Sequence, residues 1–92
     1  MKRLFEKTKI FTVFFDETRL KILGLLRDGE KCASMLLKQI NVGQSTLSYH
    51  MKTLIESGLV TARKVHKWTY YSICESGKKR VMKMLKQLEN LI

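Results

Sequence analysis

The sequence predicts a mainly α domain with one small β-hairpin near its C-terminal end. Two observations carry this. Apolar residues recur at helical spacing in five stretches, and a cluster of β-favouring residues (Val60, Thr61, Val65, Trp68, Thr69, Tyr70, Tyr71, Ile73) interrupts them once. A third observation sets the scale: 92 residues hold one core, so residues 1–92 form a single domain. An apolar fraction of 45% is that of a globular chain. Eighteen basic residues against 8 acidic ones leave a formal charge of +10, a field that favours a polyanion.

In chain order, residues 2–15 predict a helix. Leu4, Phe5, Ile10, Phe11, Val13, Phe14 and Phe15 make too wide an apolar surface for one stripe, so this helix should pack on its own core and on a second subunit. Asp16 predicts an N-cap, with Glu17 in the first turn, and Leu20, Ile22, Leu23, Leu25 and Leu26 make the next helix the central one. Asp28-Gly29 stops it. Residues 32–40 form a short helix, Asn41-Val42-Gly43 a turn, and residues 44–57 a further helix ended by Gly58. Strands follow over 59–65 and 67–74, turning near Val65-His66. Ser76-Gly77 breaks the second strand, and residues 78–92 form a last amphipathic helix.

The helix over 44–57 carries the functional signal. Leu47, Met51, Leu54 and Ile55 share one face. Ser45, Tyr49, Lys52, Thr53 and Glu56 lie opposite, with Thr46, Ser48 and His50 at the edges. Two helices joined by a three-residue turn, the second polar on one face, make a helix-turn-helix. In that motif the second helix enters the major groove and its N-terminal residues reach base edges. Gln44 can pair bidentately with adenine, and Ser45, Thr46 and Ser48 can donate or accept. Tyr49 can reach a phosphate or a thymine methyl, and Lys52 can neutralise a backbone charge. Weak helix formers on an exposed face are easier to understand if that face makes contacts. Arg63, Lys64, His66 and Lys67 cluster around the hairpin tip, as a wing lying along a phosphate backbone requires. Trp68, Tyr70 and Tyr71 read as packing residues of the sheet. Double-stranded DNA is therefore the expected partner.

Three runs carry a family resemblance: FFDETRLKILGLL, DGEKCASMLL and VGQSTLSYHMKTLIESGLVTARKVHKWTYYSI. Together they resemble the ArsR-type winged-helix repressors from about Phe14 to Ile73. The resemblance implies a winged helix-turn-helix, a homodimer built from the first and last helices, and a palindromic operator. It also implies release by an inducer, often a metal or metalloid ion. Members that sense soft ions in the third helix carry Glu-Leu-Cys-Val-Cys-Asp-Leu, where this chain has Glu30-Lys31-Cys32-Ala33-Ser34-Met35-Leu36. Cys32 matches the first cysteine, Ser34 stands in for the second and Met35 for the acid. One thiolate and a hydroxyl make a poor soft-ion site. The family's other common site, Asp and His on the last helix, has no counterpart in 78–92.

Cys32 thus has three readings: a remnant ligand, a reactive thiol near a helix N-terminus, or a small apolar core residue. No metal ligand or cofactor is assigned. No glycine-rich phosphate loop, paired carboxylates or nucleophile with its base is present, which argues against an enzyme. Glu6, Lys7 and Lys9 interrupt the N-terminal apolar run, and no stretch is long enough to span a bilayer, so a cytoplasmic protein without membrane contact is expected. A winged-helix interaction module binding an acidic protein or RNA is the alternative from another class.

Overall fold

The computed structural model describes residues 10–92. Helical backbone at residues 10–11 runs into a 3-10 turn at Thr12–Phe15. The predicted N-terminal helix lies largely outside the described residues, and its described end is this tighter turn. The reason is local. Asp16 is extended (φ −134°, ψ 126°) to cap the next helix, so α winding cannot continue through it. The Arg19 guanidinium meanwhile takes the carbonyls of Val13 (3.1 Å) and Thr12 (3.2 Å).

Helix α1 spans Glu17–Leu26, and the Asp16 carboxylate accepts the Arg19 amide at 2.9 Å, as an N-cap should. A two-residue strand β1, Lys31–Cys32, precedes helix α2, Ala33–Gln39. The turn leads to helix α3, Gln44–Glu56, then to strands β2, Val60–Val65, and β3, Trp68–Ile73, and finally to helix α4, Glu75–Glu89. The sheet is antiparallel in the order β1-β3-β2, with Val65 opposite Trp68 at the hairpin end and Val60 opposite Ile73 at its base.

Sequence reading missed β1. Two residues show no alternation, and Lys31 and Cys32 are placed only by pairing with Tyr71 and Tyr70. Two boundaries also move. The hairpin turn is His66-Lys67, with His66 at φ 56°, so Lys67 lies in the turn rather than in the strand. Ser76-Gly77 does not break the chain but sits in the first turn of α4. Gly77 is there because a Cβ would run into the backbone carbonyl of Gly58, where α4 crosses the end of α3.

The core joins Ile22 and Leu26 of α1, Leu36 of α2, and Leu47, Met51 and Leu54 of α3 to Val60 and Val81. Full burial of such side chains stabilises by about 1.5–3 kcal/mol each. The α3 stripe therefore fixes which face of that helix looks outward. Two expected core residues do not join it: Leu20 is 48% exposed and Ile55 is 39% exposed. Among the described residues, no helix is long and apolar enough to cross a membrane.

Candidate nucleic-acid interface

Gly43 enters α3 in extended conformation and offers no side-chain cap, so the first-turn amides of this helix remain available to an anion. Leu47, Met51 and Leu54 turn inward. Gln44, Ser45, Thr46, Ser48, Tyr49 and Lys52 are all exposed, and Tyr49 keeps 62% of its surface open. Six of the residues expected to face DNA thus share one outward surface of the helix, from its first residue to Lys52. Thr53 bonds back to the Tyr49 carbonyl at 3.2 Å.

His50 is a correction. It was expected at the edge of the reading face, but it is only 7% exposed. Its Nδ1 lies 3.2 Å from Arg19 Nη1 and 3.8 Å from Asp16 Oδ2. Tyr49 meets the ring edge-on at 5.3 Å between centroids. The His50 edge of the wheel is covered by α1, which a helical projection of α3 alone cannot show. His50 is therefore buried against α1 rather than part of the exposed face.

On the wing, Lys64, His66 and Lys67 stand exposed at and beside the tip. Lys67 Nζ sits 5.4 Å above the Trp68 ring. Arg63 behaves differently. It forms a two-pronged pair with Glu30 (2.8 and 2.7 Å) and covers the Tyr70 ring at 4.9 Å. That pairing holds the Glu30 carboxyl below its ordinary range and raises the Arg63 guanidinium above its own. Arg63 ties β2 to the loop after α1, and its charge is already answered within the chain. Lys64 and Lys67 have no ion pair among the described residues.

A groove of about 290 Å³ joins the two parts of the surface: Gln44 and Ser48 of α3, Lys67 and Trp68 of the wing, and Ser34 all line it. Ser34 and Trp68 are the residues that sequence reasoning did not assign to the interface. Trp68, read as a packing residue, is 47% exposed. Its position beside the turn Lys67 was the available signal.

The residues at Cys32 do not fit a metal or metalloid ion. The Cys32 Sγ neighbour is the Ser34 hydroxyl at 3.1 Å. Among the described residues no group of three or more His, Cys, Asp or Glu is placed to hold an ion. The Ser34 hydroxyl, then the Met35 amide, hold the Cys32 thiol below its usual range. Ser76 and the Gly77 amide do the same for Cys74. Cys32 pairs with Tyr70, and Cys74 lies four residues beyond it, about 13 Å of strand at 3.3 Å per residue. That is well beyond disulfide reach within one protomer.

The bacterial regulatory protein, arsR family, model matches residues 16–62. Over 89 residues the chain is 34% identical to an uncharacterized HTH-type transcriptional regulator of Methanocaldococcus jannaschii, covering 96% of this chain and 100% of that one. Over 59 residues it is 48% identical to the arsenical resistance operon repressor of Staphylococcus aureus, covering 64% of this chain and 57% of that protein. The solved structure of HlyU from Vibrio cholerae superposes with a TM-score of 0.73 at 29% identity, covering 99% of this chain and 97% of that one. A helix-turn-helix with a basic wing and these relatives lead to one conclusion: the chain belongs to the arsR family of bacterial regulatory proteins and is a DNA-binding transcriptional regulator.

Proposed function

We propose that this protein is a homodimeric repressor that reads a palindromic operator with α3 and holds the flanking backbone with its wing. The observation that carries this reading is the continuity of one surface: the exposed Gln44, Ser45, Ser48 and Tyr49 face runs across a groove to Lys67 and the wing tip. The uncapped start of α3 adds its amides to the same surface. Ser45, Ser48, Tyr49 and Gln44 supply base contacts, and Lys52, Lys64, His66 and Lys67 supply phosphate contacts.

Support for the homodimer comes from apolar surface left open on the described chain: Phe15 at 83%, Leu20 at 48%, Met82 at 44% and Leu91 at 65%. They lie on the 3-10 turn, α1, α4 and the C-terminal end, and exposed apolar surface of this kind suits cover by a second copy. A two-fold dimer would present its two α3 helices to half-sites one DNA turn apart, about 34–36 Å.

The test is fluorescence anisotropy on the DNA upstream of the protein's own gene, with random duplex as competitor and light scattering for the oligomeric state. The reading expects a dimer, a strong preference for one inverted repeat, and steep loss of affinity with salt. Binding without sequence preference, or tighter binding to RNA or an acidic protein, would overturn it.

A further inference from the structure

We propose that Arg19 and His50 form a proton-gated clamp that positions the recognition helix α3, so that protonating His50 weakens operator binding. The inference rests on the DNA-reading role proposed for α3.

A guanidinium only donates. The 3.2 Å contact between Arg19 Nη1 and His50 Nδ1 therefore requires a lone pair on Nδ1. The ring must be neutral, with its proton on Nε2. The same guanidinium donates from Nε to the Val13 carbonyl at 3.1 Å and from Nη2 to the Thr12 carbonyl at 3.2 Å. One side chain of α1 thus ties the recognition helix to the 3-10 turn through which the N-terminal segment enters. His50 sits between the exposed Tyr49 and the buried Met51, so its contact with Arg19 joins α1 directly to the helix that carries the reading face.

The clamp has a built-in alternative. Asp16 Oδ2, which accepts the Arg19 amide at 2.9 Å, lies 3.8 Å from the same Nδ1. When a solvent proton adds to Nδ1, that atom becomes a donor. It can no longer accept from Arg19, it repels the guanidinium, and Asp16 is the acceptor at hand. Among the described residues, the charged or titratable groups facing the ring are Asp16 and Arg19 from α1 and Tyr49 on its own helix. The 3-10 turn contributes the carbonyls that Arg19 holds. On β2, which also packs against α3, the charged side chains are Arg63, committed to Glu30, and Lys64 near the wing tip.

The sign of the effect separates this clamp from simple electrostatics. A proton added anywhere near DNA should strengthen binding. Release of the clamp weakens it instead. Protons taken up elsewhere near the DNA give the ordinary sign, so each measurement on the wild type is paired with the same measurement on His50→Asn. Operator affinity of the full chain is measured by anisotropy from about pH 7.5 to 5.5 at constant ionic strength. The clamp predicts an affinity that falls on acidification, by up to about tenfold per pH unit per protomer because one proton is linked. His50→Asn keeps an acceptor near the Nδ1 position and removes the proton. That variant should bind at about pH 7.5 and lose the acid dependence.

A wild-type affinity that does not fall on acidification relative to His50→Asn, or an acid loss that persists in His50→Asn, would overturn the inference. Nitrogen-15 imidazole spectra of the DNA-free protein at about pH 7.5 give a second decision. An unprotonated Nδ1 is expected, and a proton on Nδ1 would overturn the clamp. A chain with no sequence preference at about pH 7.5 fails as a DNA reader, while the imidazole spectra still decide the clamp.

Discussion

Replacing Gly77 by alanine and replacing Gly24 by alanine should change stability in opposite directions. Both residues lie within helices, so each substitution gains about 0.5–1 kcal/mol of helix propensity. At Gly24 an added Cβ meets nothing within 4 Å, and the gain should survive. At Gly77 the added Cβ would overlap the Gly58 carbonyl oxygen and stand 2.7 Å from its carbonyl carbon. Gly58 is backbone at φ 86°, where it ends the recognition helix, and it has no rotamer with which to move aside. Overpacking of this kind costs about 1–3 kcal/mol, and contact with backbone belongs at the upper end. The net loss for Gly77→Ala is then about 1–2 kcal/mol, or about 5–15 °C in Tm for a domain of this size. Gly24→Ala should raise Tm by a few degrees. Thermal unfolding followed by circular dichroism at one fixed protomer concentration reads both. If Gly77→Ala matches or exceeds Gly24→Ala in Tm, α4 does not cross α3 at Gly58 and the geometry is wrong.

Asp16→Ala should lower stability by about 1 kcal/mol through loss of the N-cap, measured by urea unfolding, whereas Asp16→Asn should lose much less. The Asp16 carboxyl is held below its ordinary range chiefly by the Arg19 amide. Its contribution is therefore complete above the unfolded carboxylate pKa and is lost as pH falls through the lower folded value, so the wild type should shed this stability in acid and Asp16→Asn should not. Lys67→Ala should weaken operator binding and reduce the salt slope of log affinity by about one. Arg63→Ala should change the slope less, because Glu30 already answers its charge. Under iodoacetamide at neutral pH, Ser34→Ala should slow alkylation of Cys32, since the Ser34 hydroxyl is the largest influence lowering that thiol.

What could be read from the sequence was set by local chemistry. Asp16 as a cap, the Asn41-Val42-Gly43 turn and the Leu47-Met51-Leu54 stripe each depend on neighbours within one helix or turn, and each is found in the structure. What escaped depends on distant chain. Strand β1 exists only through Tyr70 and Tyr71. Gly77 looked like a breaker because its reason, Gly58, lies on another helix. His50 looked like an edge residue because α1, which buries it, is invisible in a helical wheel of α3. Arg63 reads in the sequence as one of four residues clustered at the wing tip, and only the structure shows Glu30 within 2.7 Å of it. The polar outward face of α3 was legible because burial of the opposite stripe dictates it.

The central claim is that the outward face of α3 reads sequence. Selection from a random duplex library by the wild-type chain, run beside a Ser45→Ala, Ser48→Ala, Tyr49→Ala triple variant with unchanged circular dichroism, tests it most directly. The account predicts one enriched inverted repeat for the wild type and none for the variant. Equal enrichment by both chains, or none by either, would contradict it.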